Sequence, residues 1–117
     1  MKILLSISVF LIGLSSFASV VVLDQSGQGD YETFTDAFNN STTGDTIYVV
    51  GSAASYGNVT INSPRIIIGN GFFGQSLGYQ SSATFGTVTL NAGAANSQFI
   101  GITTNTISFN ESNISFV

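Results

Sequence analysis

Val59-Thr60-Ile61-Asn62, Val88-Thr89-Leu90-Asn91 and Thr106-Ile107-Ser108-Phe109-Asn110 repeat one pattern along the chain. Each is a short apolar and hydroxyl alternation stopped by an asparagine. A second apolar run follows each one after a short connection: Arg65-Ile66-Ile67-Ile68, Gln98-Phe99-Ile100-Gly101-Ile102 and Asn113-Ile114-Ser115-Phe116-Val117. The asparagines at 62, 91 and 110 are separated by 29 and then 19 residues. A repeat of roughly 20 to 30 residues built from strands is the signature of a coiled sheet, a solenoid whose rungs each contribute strands. Alternation then turns Val59 and Ile61, Val88 and Leu90, and Ile107 and Phe109 inward, with Thr60, Thr89 and Ser108 outward. Asn62, Asn91 and Asn110 fall at equivalent turns, where stacked amides bond to one another and asparagine tolerates left-handed backbone. The three are expected to form a structural ladder.

Working back from the repeats, Thr46-Ile47-Tyr48-Val49-Val50 and Ser19-Val20-Val21-Val22-Leu23 are β-branched runs that predict two further strands. Between them lies Asp24 to Asp30, rich in glycine and Asx residues, a turn or open loop. Thr33 and Asp36 then have capping-box spacing, and Phe34, Ala37 and Phe38 share one helical face before Asn39-Asn40-Ser41 ends the segment. A short helix over residues 33–39 is expected. Forward of the first repeat, residues 69–86 (GNGFFGQSLGYQSSATFG) form a glycine and aromatic-rich stretch that predicts a long loop protruding from one rung.

The opening residues carry a separate signal. Lys2 is a short positive region, residues 3–14 are an apolar core, and Ser16 and Ala18 place small residues at the minus-three and minus-one positions of a cleavage site. A signal peptide over 1–18, cut after Ala18, is expected, giving a secreted or cell-surface protein. The run is broken by Ser6, Ser8 and Gly13 and falls short of the roughly 20 apolar residues of a membrane span.

Composition narrows the chemistry. The 117 residues allow one domain, 7% are charged, and there is neither cysteine nor histidine. Disulfides, thiolate metal sites, histidine bases and histidine-ligated zinc are thereby excluded. Without Lys2 the chain keeps one base, Arg65, against six acids, Asp24, Asp30, Glu32, Asp36, Asp45 and Glu111, a net charge of minus five. Such a surface repels phosphate backbones, so nucleic acid and anionic lipid are poor partners.

The run VVLDQSGQGDYETFTDAFNNSTTGDTIYVVG (residues 21–51) resembles the amino-terminal part of right-handed parallel β-helix proteins of the pectate lyase and pectin methylesterase superfamily. The resemblance implies an all-β, right-handed parallel β-helix. Residues 19–45 would be a cap in which the helix closes the solenoid, and residues 46–117 about two to three rungs. The acidic, lysine, arginine and glutamine positions that serve catalysis in those enzymes have no counterpart here, since Glu111 is the one charge after Arg65. Because Val117 falls inside an apolar run, a truncated chain, or a last rung covered by something else, is expected.

Three groups are candidates for chemistry. Asp24, Asp30 and Glu32 offer carboxylates for a calcium ion but lack the ligand alternation of an EF-hand loop, and turn formation and capping account for them otherwise. Arg65 follows Pro64 and is expected on a solvated face or beside a carboxylate, with the carboxylate of an acidic sugar as the alternative partner. Phe72, Phe73, Tyr79 and Phe85 offer faces for sugar rings, or else pack on the flank of the solenoid. The Gly69-x-Gly71-x-x-Gly74 spacing has no helix after it to hold a pyrophosphate, and the Asn-x-Ser/Thr sequons at Asn39, Asn40, Asn58, Asn110 and Asn113 arise readily in a chain of this composition. No cofactor is implied. The leading function is an exported, non-catalytic scaffold for adhesion or carbohydrate binding. The alternatives are the amino-terminal part of a polysaccharide lyase or esterase whose catalytic rungs lie beyond residue 117, and a structural remnant without ligand.

Overall fold

The computed structural model describes residues 17–71 and 81–117. The fold is all-β with one short helix. In chain order it runs β1 (Val20–Leu23), α1 (Phe34–Asn39), β2 (Thr46–Val49), β3 (Val59–Ile61), β4 (Ile66–Gly69), β5 (Thr84–Leu90), β6 (Gln98–Ile100), β7 (Thr103–Phe109) and β8 (Ser115–Phe116). Every strand pairing is parallel: one sheet has the order β1-β2-β4-β6-β8 and the other β3-β5-β7. From β2 onward consecutive strands alternate between the two sheets.

Register follows the repeated motif. Val59 pairs with Val88 and Ile61 with Leu90, and these pair in turn with Ile107 and Phe109. In the other sheet Ile47 pairs with Ile67 and Ile67 with Phe99. Like residues therefore stack along each sheet, and the alternate side chains Leu23, Ile47, Val49, Ile61, Ile67 and Leu90 form a continuous buried core. Fully burying each such side chain contributes about 1.5–3 kcal/mol, so a three-residue strand such as β3 is held by its two core positions rather than by its length.

Phe109 is a correction to the inward set. It is in register with Leu90 but 56% exposed, because β7 is an edge strand and no described strand stacks beyond it; its ring meets Phe116 edge-on instead. Ile107 is only partly buried for the same reason.

The helix is capped as its sequence predicts. Thr33 is extended, and its Oγ1 accepts the Asp36 N–H at 3.2 Å while donating to the Asp36 carboxylate at 2.8 Å. Asp36 thus answers the cap through the hydroxyl, not through the Thr33 main chain of a standard capping box.

Two expectations shift. The loop expected over 69–86 loses both ends, since Gly69 closes β4 and Thr84–Gly86 open β5. Pairing of Thr84 and Phe85 with Thr103 and Thr104 decides this, a long-range contact that overrides the loop-like composition. The asparagine ladder forms in part: Asn110 Nδ2 donates to Asn91 Oδ1 at 3.1 Å, whereas Asn62, at the equivalent turn, makes no such bond. A second pair, Asn113 donating to Asn96, joins the turns before β8 and β6. Those two, at φ 61° and 68°, are the described non-glycine residues in left-handed backbone, so the conformational role expected of Asn62, Asn91 and Asn110 belongs to Asn96 and Asn113.

Among the described residues no helix is long and apolar enough to cross a membrane. The expected signal segment lies outside them apart from Phe17 and Ala18, which are exposed.

Candidate functional site

The nominated residues separate. Phe72, Phe73 and Tyr79 lie outside the described residues. Phe85 is 1% exposed, meeting Phe34 edge-on at 5.6 Å and Tyr56 at 5.7 Å, and is therefore a core residue that ties α1 to β5 rather than a ligand platform.

Arg65 corrects the surface reading more sharply, being 4% exposed at the entrance to β4. Its Nε donates to Ser41 Oγ at 2.8 Å. One terminal nitrogen donates to Ser63 Oγ and to the Pro64 carbonyl, and the other to the carbonyls of Ser41 and Phe38. The guanidinium lies 4.4 Å from the centre of the Phe38 ring. A guanidinium has five N–H donors, and all five are engaged within the protein. Burial pulls the Arg65 pKa down, opposed by the charge of Asp45. Arg65 fastens the end of α1 to β4 and has no donor left for an acidic sugar.

The acidic residues divide likewise. Asp24 accepts the Ser26 N–H at 2.8 Å and Asp30 the Val22 N–H at 2.8 Å, each closing local structure around the 24–30 loop. Among the described residues no three acidic side chains converge to hold a metal, which corrects the Asp24, Asp30 and Glu32 calcium candidate. Asp45, which was not nominated, is 3% exposed and accepts from Ser19 N, Thr42 N and Thr42 Oγ1 at 2.9, 2.7 and 3.0 Å. These bonds hold its carboxyl at a pKa of about 2, against an ordinary 3.8.

Tyr56 was missed as well. Its hydroxyl donates to the Val50 carbonyl at 2.7 Å, and Gln25 beside it accepts from Ser52 Oγ and donates to the Ser55 carbonyl. Burial raises the Tyr56 pKa. Together these residues clamp the connection between β2 and β3 against the 24–30 loop.

A groove of about 280 Å³ remains between α1 and β3. The helix side contributes Phe34, Thr35, Phe38 and Asn39; the strand side contributes Asn58, Val59, Thr60 and Asn62. The aromatic residues are there because the apolar face of α1 packs on the core, and Thr60 because the alternation that buries Val59 and Ile61 exposes it. Asn58, an exposed residue, accepts the Thr87 N–H on Oδ1 at 2.8 Å. The Ile61 carbonyl accepts from Asn91, the residue after β5, so alternation of the parallel ladder turns the main-chain groups of Thr60 away from β5, to the open edge of β3. The groove thus offers the aromatic side chains of Phe34 and Phe38, amides, hydroxyls and a strand edge, and no formal charge. Such a lining is suited to hydrogen-bond exchange with an uncharged, hydroxylated ligand, and it holds no group able to act as acid or base near neutral pH.

Comparison of the chain with protein-family models, with curated proteins and with solved structures gives no match.

Proposed function

We propose that the two parallel sheets are walls of a right-handed β-helix, and that the chain is the scaffold of an exported, non-catalytic protein that binds neutral carbohydrate in the groove between α1 and β3. The alternation of consecutive strands between the sheets supports the coil, and the hand follows from the strong preference of parallel crossovers, about 98% of which are right-handed. The observation that carries the ligand class is the chemistry of the groove: the Phe38 ring beside Thr35, Asn39, Asn58, Thr60 and Asn62, without a charged side chain. Sugar C–H faces pack on aromatic rings, and amides and hydroxyls replace the water around sugar hydroxyls. Acidic sugars are disfavoured, since Arg65 is fully engaged within the protein and the chain without its first 18 residues carries net charge minus five.

The test is binding of the exported chain to a panel of neutral and acidic oligosaccharides. Thr60→Val and Asn62→Ala, both at exposed positions, serve as groove variants. Neutral ligands should bind in a salt-independent manner and lose about tenfold in affinity per variant, the scale of one or two hydrogen bonds. Binding confined to acidic ligands, or unchanged in both variants, refutes this assignment of the groove.

A further inference from the structure

The Asp45 carboxylate is buried, and its two oxygens do different work. Oδ2 closes the Thr42–Asp45 turn through Thr42 N–H and Oγ1. Oδ1 leaves that turn and reaches back 26 residues to the main-chain nitrogen of Ser19, at 2.9 Å. Ser19 is fixed from its other side as well, its carbonyl accepting the Thr46 N–H at 2.9 Å at the head of the β1–β2 ladder. Immediately before it, Ala18 and Phe17 are exposed, Phe17 by 83%. The nitrogen that this buried carboxylate reaches outside its own turn is therefore that of the residue following the expected cleavage site.

We infer that Asp45 is a docking site for the α-amino group created when a signal peptidase cuts between Ala18 and Ser19, so that processing installs an ion pair the precursor lacks. The inference rests on the exported reading proposed above. The chemistry is hydrolysis: water adds across the Ala18–Ser19 amide, Ala18 leaves as a carboxylate, and the Ser19 nitrogen becomes a protonated amine. Before cleavage Oδ1 accepts from a neutral amide. Afterwards it accepts from an ammonium in the same place, a charge-assisted bond that is shorter and roughly twice as strong. The exposed flank of Ser19 leaves room for the two additional N–H donors to meet water, so the new charge is not stranded. The remaining charge coupled to this corner is Arg65, whose guanidinium is already bonded to Ser41 and Phe38 and does not compete for Oδ1. Cleavage would thereby lock the first strand onto the sheet once the chain has been exported.

The sequence provides a clean test. Lys2 is the sole lysine and departs with the leader, so the processed chain has one primary amine, its α-amino group. Precursor is expressed in an exporting host, and the secreted product is sized by mass spectrometry. Its amine is then acetylated with an activated ester in native buffer and in urea. A product beginning at Ser19, acetylated at least tenfold more slowly when native, and losing about tenfold in its folding equilibrium constant once acetylated, is the expected result. Asp45→Asn should abolish both differences; if that variant does not fold, the comparison of free and acetylated wild-type chain decides alone. A product that begins at Ser19 but reacts equally fast in both conditions, with unchanged stability after acetylation, overturns the docking site and leaves export standing. A product cut elsewhere, or not exported, overturns both.

Discussion

Replacing Arg65 by lysine, and separately by methionine, tests whether the guanidinium holds α1 onto the first sheet. Methionine leaves the Ser41 carbonyl without its donor in a buried site, whereas the Phe38 carbonyl keeps the Ser41 N–H and hydroxyl; lysine brings three donors to five acceptors. Each buried polar group without a partner costs about 1–3 kcal/mol. Loss of the cation–π contact with Phe38 adds about 0.5–2 kcal/mol. Against this stands relief of the desolvation of a buried charge, several kcal/mol, which methionine gains and lysine does not. The net expectation is a loss of about 0–2 kcal/mol for Arg65→Met and about 3–5 kcal/mol for Arg65→Lys, whose ammonium stays buried with three donors in place of five. The unusual element is the order, with the charge-conserving change the worse of the two. Urea unfolding followed by far-ultraviolet circular dichroism measures it, provided the denaturant slope is unchanged between variants. A solvated arginine predicts changes within about 0.5 kcal/mol for both, and that outcome, or lysine milder than methionine, would refute the reasoning.

Acid should weaken the fold through Asp45. Because its folded pKa is lowered from 3.8 to about 2, the unfolded chain binds the extra proton in that window; the contribution is complete above pH 4 and is lost as pH falls toward 2. The stability difference between wild type and Asp45→Asn should accordingly shrink over that range in urea titrations at several pH values, and a pH-independent difference would contradict it. Gly69→Ala should cost about 1–3 kcal/mol by overpacking, since its Cβ would lie 2.5 Å from the Gly101 carbonyl oxygen and 2.8 Å from the Ala83 side chain; thermal unfolding reads the loss. At Asn113, φ 61° makes glycine the milder replacement, with Asn113→Ala less stable than Asn113→Gly by about 1 kcal/mol, and the reverse order would speak against the left-handed turn.

What the sequence made legible was whatever a single strand carries within itself. The alternation in Val59–Ile61 and Val88–Leu90 specifies both their buried faces and their mutual register, because like motifs pair with like. Thr33 and Asp36 specify the cap. Illegible were the features decided by partners distant in the chain. Nothing local to Arg65 announces that its acceptors are main-chain carbonyls 24 and 27 residues earlier, so its charge suggested solvent. Thr84-Phe85-Gly86 looks like loop until it is paired with the strand 19 residues on. The Asn96–Asn113 pair did leave a trace: both asparagines stand two residues before a strand and three before a phenylalanine, Phe99 and Phe116, which pair in register and stack at 4.7 Å. The groove required α1 to be set beside β3, and no periodicity contains that placement.

The positions of Asp45 and Arg65 suggest what these buried charges contribute besides stability. Val20–Leu23, Thr46–Val49 and Ile66–Gly69 are short, similar and apolar, and sliding any of them by two residues would keep every inward side chain inward. Apolar packing alone therefore discriminates weakly between registers in the first sheet. Asp45 immediately precedes β2 and engages Ser19 ahead of β1; Arg65 immediately precedes β4 and engages the end of α1; and the Ile66 N–H joins the two through the Asp45 carbonyl at 3.0 Å. A two-residue slip would break all of these while leaving the core pattern intact, stranding a buried charge on each side at a cost of about 3–5 kcal/mol per broken partnership. The double variant Asp45→Asn, Arg65→Met should then retain parallel-sheet circular dichroism but show multiple amide resonances for β1 and β2 in two-dimensional NMR, as the competing registers approach one another in energy. A single sharp set of resonances from a folded double variant would mean that side-chain shape, and not the buried polar pair, selects the register.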